Sequence, residues 1–195
     1  MSAMLFNAVK PTITRLSGVP EINEWPKEDW KYADVKHVHD RTTDLVRRVI
    51  AAAPLTYRFK RILIDVKVQN LTPEICSCIP GWHIDGAFPS ENKPDDIHHL
   101  FVANGPLTEF INEPVMLNVD RTLLPDMQHV LRQIPQDVKI TTCAANAITT
   151  FTSRDFHRGV HAKTPTRRLL VRLTETNTIL PRNKPQPPSQ GAIIR

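Results

Sequence analysis

Hydrophobic positions through the middle of the chain recur at every second residue. In Arg61–Gln69, Ile62, Ile64, Val66 and Val68 share one face, the alternation of a strand that buries one side. His98–Ala103, Leu107–Ile111, Val115–Asn118, Val138–Thr142, Ala147–Thr152 and Arg168–Glu175 also read as short strands, and a helix at about Pro125–Ile134 interrupts them. Upstream the period lengthens. Leu45, Val46, Val49 and Ile50 fall at three- and four-residue spacing, which predicts a helix over about Thr42–Ala53; Asp40 can cap its start and Pro54 ends it. The first forty residues read as irregular, punctuated by Pro11, Pro20 and Pro26, with Trp25 and Trp30 as anchors onto the core.

Short strands separated by turn signals predict a mainly β fold with a few flanking helices, an antiparallel sandwich or jelly roll. A double-stranded β-helix, the cupin-like jelly roll, fits the strand count. Residues 1–180 then form a single domain with its core at about 61–176. Residues 181–195 carry Pro181, Pro185, Pro187 and Pro188 without apolar periodicity, and are expected to be extended or disordered.

Composition narrows the class. At 195 residues with 41% hydrophobic and 23% charged residues, the chain can bury one core and reads as a soluble domain. Its longest apolar runs, such as Val49–Leu55, are too short to cross a bilayer, so no membrane partner is expected. The start lacks the pattern of a secretory signal, and a cytoplasmic protein is the expectation. Cys76, Cys78 and Cys143 lack zinc-finger spacing and read as reduced thiols. The net charge of +5 is spread along the chain. It tolerates a nucleic-acid partner without demanding one, and oligomeric state is not legible.

The chemistry concentrates in Pro80-Gly81-Trp82-His83-Ile84-Asp85-Gly86. On a strand, residues two apart face the same way, so His83 and Asp85 project together while Ile84 faces away. An imidazole beside a carboxylate offers two adjacent ligands for a divalent metal, and one more histidine completes a facial triad. His157 follows the strand Ala147–Thr152 and lies 72 residues after Asp85. Such a triad leaves three positions of an octahedral iron open, two for a bidentate 2-oxo acid and one for dioxygen. The far carboxylate of a dicarboxylic 2-oxo acid needs a buried cation, for which arginine is suited. Arg167, Arg168 and Arg172 are the candidates. Arg168 and Arg172 share one face of their strand, whereas Arg167 shares the face of Leu169, Val171 and Leu173.

His83-x-Asp85, the distant His157 and the following Arg168 resemble the H-x-D…H…R signature of the Fe(II)/2-oxoglutarate-dependent dioxygenases, over roughly Ile62 to Thr174. The resemblance implies the double-stranded β-helix fold, with Fe(II) on His83, Asp85 and His157 and with 2-oxoglutarate and O2 as co-substrates. The reaction implied is hydroxylation of a substrate with release of succinate and CO2. The taurine dioxygenase-like branch carries two arginines four apart, like Arg168 and Arg172. There the first clamps 2-oxoglutarate and the second reaches toward substrate. Thr108 matches a threonine that helps to bind the co-substrate. The chain departs from the family in reading Cys143-Ala144-Ala145-Asn146-Ala147 where a Pro-Gly-Asp turn is usual, a turn Asn146 can make. His161, four residues after His157, is a rival ligand; His157 is preferred because Arg158-Gly159 continues the family's H-R-x pattern. Which arginine clamps the co-substrate stays open.

Other readings remain. The adjacent His98 and His99 face opposite ways on a strand and read as edge or substrate-cleft residues. Trp82 suits a pocket wall or the core equally. The substrate can be a small molecule. The basic balance and the polar loop Ser90–Asp96 also allow a nucleic-acid- or protein-modifying oxygenase, and a non-catalytic jelly-roll binding module is the third class.

Overall fold

The computed structural model describes residues 2–6, 12–16, 25–79, 81–90, 92–123, 128–187 and 192–193. The chain runs through β1 (Ser2–Phe6), β2 (Thr12–Arg15), β3 (Trp30–Asp34), α1 (Val35–His39), α2 (Asp44–Ala52), β4 (Arg61–Leu71) and β5 (Ile75–Cys76). It continues through β6 (Ile97–Ala103), β7 (Glu109–Ile111), β8 (Val115–Val119), α3 (Gln128–Leu131), β9 (Ile140–Thr142), β10 (Ala147–Thr152), β11 (His157–Arg158), β12 (Thr166–Thr176) and β13 (Ala192–Ile193). The protein is mainly β, and its strand pairs are antiparallel.

A six-stranded sheet has the order β2-β10-β6-β12-β4-β3, and a short sheet has the order β11-β7-β9. The alternation in β4 decides how the large sheet is covered. Ile64, Val66 and Val68 join Leu169, Val171 and Leu173 of β12 in a core closed by Val38 of α1 and by Leu45, Val46 and Val49 of α2. On the opposite face, Leu100 and Val102 of β6 and Phe151 of β10 pack with Phe110 of the short sheet and with Cys143. The Phe110 and Phe151 rings meet edge to face at 5.0 Å. A third cluster joins Met4, Phe6, Leu117, Val130 and Phe156, with Trp82 and Ile84 against it. The large sheet is therefore covered by α1 and α2 on one side, while part of its other face is available to line a site.

Several expectations need correction. The first forty residues hold three strands and α1. Met4 and Phe6 are buried because β1 pairs with β8, more than a hundred residues away in sequence. Pro11 and Pro20 lie outside the described residues; Trp25 and Trp30 are buried in the core. Asp40 ends α1, and α2 begins after Thr43, whose side chain makes no capping hydrogen bond. The described part of the helix expected at about 125–134 is α3, with residues 124–127 outside the description. In the tail, residues 181–187 run extended along β3: Arg182 N–H donates to the Tyr32 carbonyl at 2.7 Å and Gln186 N–H to that of Asp29 at 2.8 Å. Backbone pairing of this kind, with Asp34 N–H donating to Asn183 Oδ1, holds a proline-rich segment that has no apolar period of its own. Among the described residues, no helix is long and apolar enough to cross a membrane.

Candidate metal centre

His83 and His157 face each other across the edge of the short sheet. Each backbone N–H donates to the other's carbonyl at 2.9 Å, and residues paired this way place their side chains together. Their imidazole centroids are 4.3 Å apart. Asp85, two residues on, brings Oδ2 to 3.1 Å from His157 Nε2. One ligand atom from each of the three lies within 4.8 Å of the others, a group able to hold a metal ion.

The hydrogen bonds assign the ring protons. His83 Nδ1 lies 2.9 Å from the Gly81 carbonyl and His157 Nδ1 lies 3.2 Å from the Asp155 carbonyl. A carbonyl oxygen only accepts, so both Nδ1 atoms carry hydrogen and both Nε2 atoms keep a lone pair. Burial disfavours a second proton, lowering the pKa of His83 and of His157 to about 4. The Nε2 lone pair of His157 consequently points at a carboxylate oxygen, an acceptor against an acceptor. A cation between them removes that conflict. Ligands at right angles on bonds of about 2.0–2.2 Å stand about 3 Å apart, which is the His157–Asp85 separation. The donor set suits a divalent transition metal, and the backbone carbonyls behind both rings hold the ligating tautomer.

The loop bearing Asp85 is fixed from below. Gly86 has φ +83°, and a Cβ there would stand 2.7 Å from Asp96 Oδ2. Asp96 accepts the Ala87 N–H at 2.6 Å. His98, fully buried on β6, directs Nε2–H to the Asp85 carbonyl at 3.2 Å, and its Nδ1 pairs with Thr174 Oγ1 at 3.0 Å. Burial lowers its pKa to about 3. His99, on the opposite face, bonds Glu175 Oε1 at 3.1 Å and Thr150 Oγ1 at 3.0 Å. β6 lies between β10 and β12, so neither histidine is at an edge, and both are fully buried and do not line the cavity. In the loop before β6, Asp95 is tied to Arg154 at 2.6 Å.

The arginines separate by face. Arg167 is exposed and lies over the Trp25 ring at 5.7 Å, on the helix side of the sheet. Arg168 is fully buried on the other side. It donates to the Pro106 carbonyl at 2.9 Å, to Gln69 Oε1 at 2.8 Å and to Thr108 Oγ1 at 3.4 Å. These acceptors are neutral, and among the described residues no carboxylate pairs with it. Burial lowers its pKa from the ordinary value, yet a guanidinium stays charged at neutral pH. Arg172 instead bridges Asp65 and Asp85, with Nε 3.0 Å from Asp65 Oδ2 and Nη1 donating to Asp85 Oδ2.

A cavity of about 310 Å³ opens on His83, Asp85 and His157 and reaches Thr108, Gln69, Lys67 and Arg172. His161 lies elsewhere, exposed, with Nδ1 2.8 Å from the Pro73 carbonyl. Trp82 packs with the third core cluster beneath Arg158, whose guanidinium is 4.4 Å from the ring centroid. Asn146 adopts φ +54°, the left-handed conformation of the turn before β10. The thiols of Cys76, Cys78 and Cys143 are free; burial pushes the Cys78 thiol up to about 11, so it remains protonated.

No protein-family model matches the chain, and no curated protein or solved structure does so. The site therefore stands on its geometry.

Among the cavity residues that no motif in the sequence marks, four polar ones stand out. Asp65, Lys67 and Gln69 face the cavity because they alternate with the apolar face of β4. Tyr32 reaches it through an irregularity in β3 between Trp30 and Ala33 that gives the tyrosine φ +50°. The strand alternation could have identified the first three; nothing in the sequence marks the fourth.

Proposed function

We propose that the protein is an Fe(II)- and 2-oxoglutarate-dependent oxygenase that hydroxylates a small molecule. One observation carries the reading. Two imidazoles and a carboxylate converge on a cavity that also reaches Thr108 and Gln69, behind which Arg168 is buried without a carboxylate partner. A buried, unpaired cation is unfavourable unless an anion completes it. A dicarboxylic 2-oxo acid has a chelating end for the metal and a carboxylate for Arg168. Strand order supports the companion reading of a double-stranded β-helix. From β4 the chain passes to His83 beside the short sheet, to β6 in the large sheet, to β7 and β9 in the short one, then to β10, β11 and β12 in alternation.

His83, Asp85 and His157 would hold Fe(II), and Arg168 with Thr108 would hold the distal carboxylate of 2-oxoglutarate. With these and O2 bound, the chemistry supplied is oxidative decarboxylation to succinate and CO2, coupled to hydroxylation of the substrate. The chain's own contribution is position. The Gly81 and Asp155 carbonyls keep the two Nε2 atoms unprotonated, and His98 holds the Asp85 backbone. Phe151 and Leu170 exclude water from one wall of the cavity. Arg172 compensates Asp85 when no metal does. A cavity at the low end of small-molecule sites favours a compact substrate over a polymer segment.

The test is the visible spectrum of anaerobic protein with Fe(II) and 2-oxoglutarate, wild type beside His83→Ala. A charge-transfer band present in the first and lost in the second is expected. Folded wild type with iron supplied and no band would refute the oxygenase reading.

A further inference from the structure

The cavity carries more positive charge than a metal and its co-substrate can use. Four cations border it: Lys31, Lys67 and Arg172 in its wall and Arg168 behind Gln69 and Thr108. The carboxylates are two, Asp65 and Asp85, so the excess is 4 − 2 = +2. The histidines and Cys78 add none at neutral pH. A divalent ion and a dicarboxylate cancel each other, and the excess persists when both are bound.

Lys67 is the cation left without a use. On β4 it stands between two rungs of the ladder, Asp65 opposite Arg172 and Gln69 opposite Arg168, and is itself opposite Leu170. Asp65, two residues earlier on the same strand, is engaged with other donors. Its Oδ1 accepts the Tyr32 N–H at 2.7 Å, and its Oδ2 accepts from Arg172. Among the described residues, no carboxylate oxygen lies within 4.0 Å of the Lys67 ammonium. Burial lowers its pKa, with Asp65 acting in the opposite sense. The adjoining rim is built rather than incidental. The irregularity of β3 carries Tyr32 in a backbone conformation rare for an aromatic residue. Its ring lies 5.7 Å from the Arg172 guanidinium and 5.9 Å from the Lys31 ammonium.

We infer that the substrate is a small molecule bearing an anionic group, a carboxylate, sulfonate or phosphate, and that Lys67 receives that group. The inference rests on the oxygenase reading for the word substrate; the anion site itself rests on charge and burial. Lys31 at the exposed rim adds long-range attraction, and Tyr32 walls the entrance between the two cations.

The test is anaerobic calorimetry of protein holding Fe(II) and 2-oxoglutarate, titrated with propionate, ethanesulfonate, ethyl phosphate and the uncharged propionamide. At least one anion is expected to bind and propionamide to fail, and the anion that binds identifies the group. Lys67→Met should weaken that anion about ten- to a hundredfold, the range for a hydrogen bond to a charged group. Lys67→Arg should retain it, and 2-oxoglutarate affinity should hold within about twofold in both variants. Binding of no small anion, equal binding by Lys67→Met, or binding of a single-stranded oligonucleotide in place of the small anions would overturn the inference. A loss of 2-oxoglutarate affinity in Lys67→Met would overturn it too, by assigning the lysine to the co-substrate. If wild type fails to bind 2-oxoglutarate, the oxygenase reading falls separately. The same titration with metal alone then decides whether the anion site exists.

Discussion

Two backbone carbonyls determine what His83 and His157 can do. By taking the Nδ1 hydrogens they leave both Nε2 atoms free to bind a metal ion, and the 3.1 Å approach of His157 Nε2 to Asp85 is tolerable when a cation intervenes. Asp85→Ala should abolish tight metal binding by calorimetry while the far-ultraviolet circular dichroism stays unchanged, because Asp85 is partly exposed and outside the core. Arg168→Met should weaken 2-oxoglutarate by about thirtyfold or more in the same experiment. Truncating one partner of a buried, hydrogen-bonded charge pair costs about 2 kcal/mol at least. Three histidines, His98 and His157 buried and His83 half-buried, also set a pH dependence. His83 and His157 titrate near 4 and His98 near 3 in the folded protein, all lowered by burial, against about 6.5 when unfolded. Between those values the unfolded chain binds more protons, so stability is present above about pH 6.5 and is lost as pH falls toward 4. Thermal melts of metal-free protein should show Tm falling across that window; a flat Tm would contradict the burial of these rings. At this scale the sequence singled out His83 and Asp85 by a two-residue spacing expected of a strand, whereas His83 makes only an isolated bridge to His157 and Asp85 follows it in irregular chain. His98 escaped because a histidine on an apolar strand does not announce a carbonyl of another segment as its partner.

The elements hold the site through a few contacts that tolerate little change. Gly86 lets the Asp85 loop lie against Asp96 and His98, and an added methyl would collide with the Asp96 carboxylate at 2.7 Å in a strained φ. Gly86→Ala should cost about 1–3 kcal/mol of stability and weaken metal binding with it, read by urea denaturation and calorimetry on the same sample. On the helix side, Leu45 of α2 is fully buried against the large sheet. Leu45→Ala should cost about 2–5 kcal/mol without touching the ligands, so metal affinity in the folded fraction should be unchanged. The alternation in β4 and the helical period in α2 were legible because each is a local repeat that one buried face imposes. The strands β1 and β2 were not: they are short, and their pairing with β8 and β10 joins distant parts of the chain.

Across the whole molecule, the segment after β12 ties back to the strand that forms the cavity rim. Arg182, Asn183 and Gln186 bond to Tyr32, Asp34 and Asp29, so a chain ending at Leu180 loses these three hydrogen bonds, at about 1 kcal/mol each, together with the pairing of β13 with β5. Its Tm should fall by roughly 2–4 °C for each kcal/mol in a protein of this size, and an unchanged melt would show that the segment does not brace the rim. Nothing in the spread of charge along the chain hints that Lys31, Lys67, Arg168 and Arg172 gather around one cavity. The sequence by itself determined the strand periodicity of β4 and the α2 helix, because these depend on spacing along a regular backbone; it also named His83 and Asp85, though these stand at an isolated bridge and not on a strand. Tertiary structure decided that His157 meets them, that Arg167 and Arg168 part to opposite faces of the large sheet, and that Lys67 stands beside the cavity with no carboxylate oxygen within 4.0 Å among the described residues. Those outcomes depend on which strands become neighbours and which face is covered, and a one-dimensional period carries no information about either.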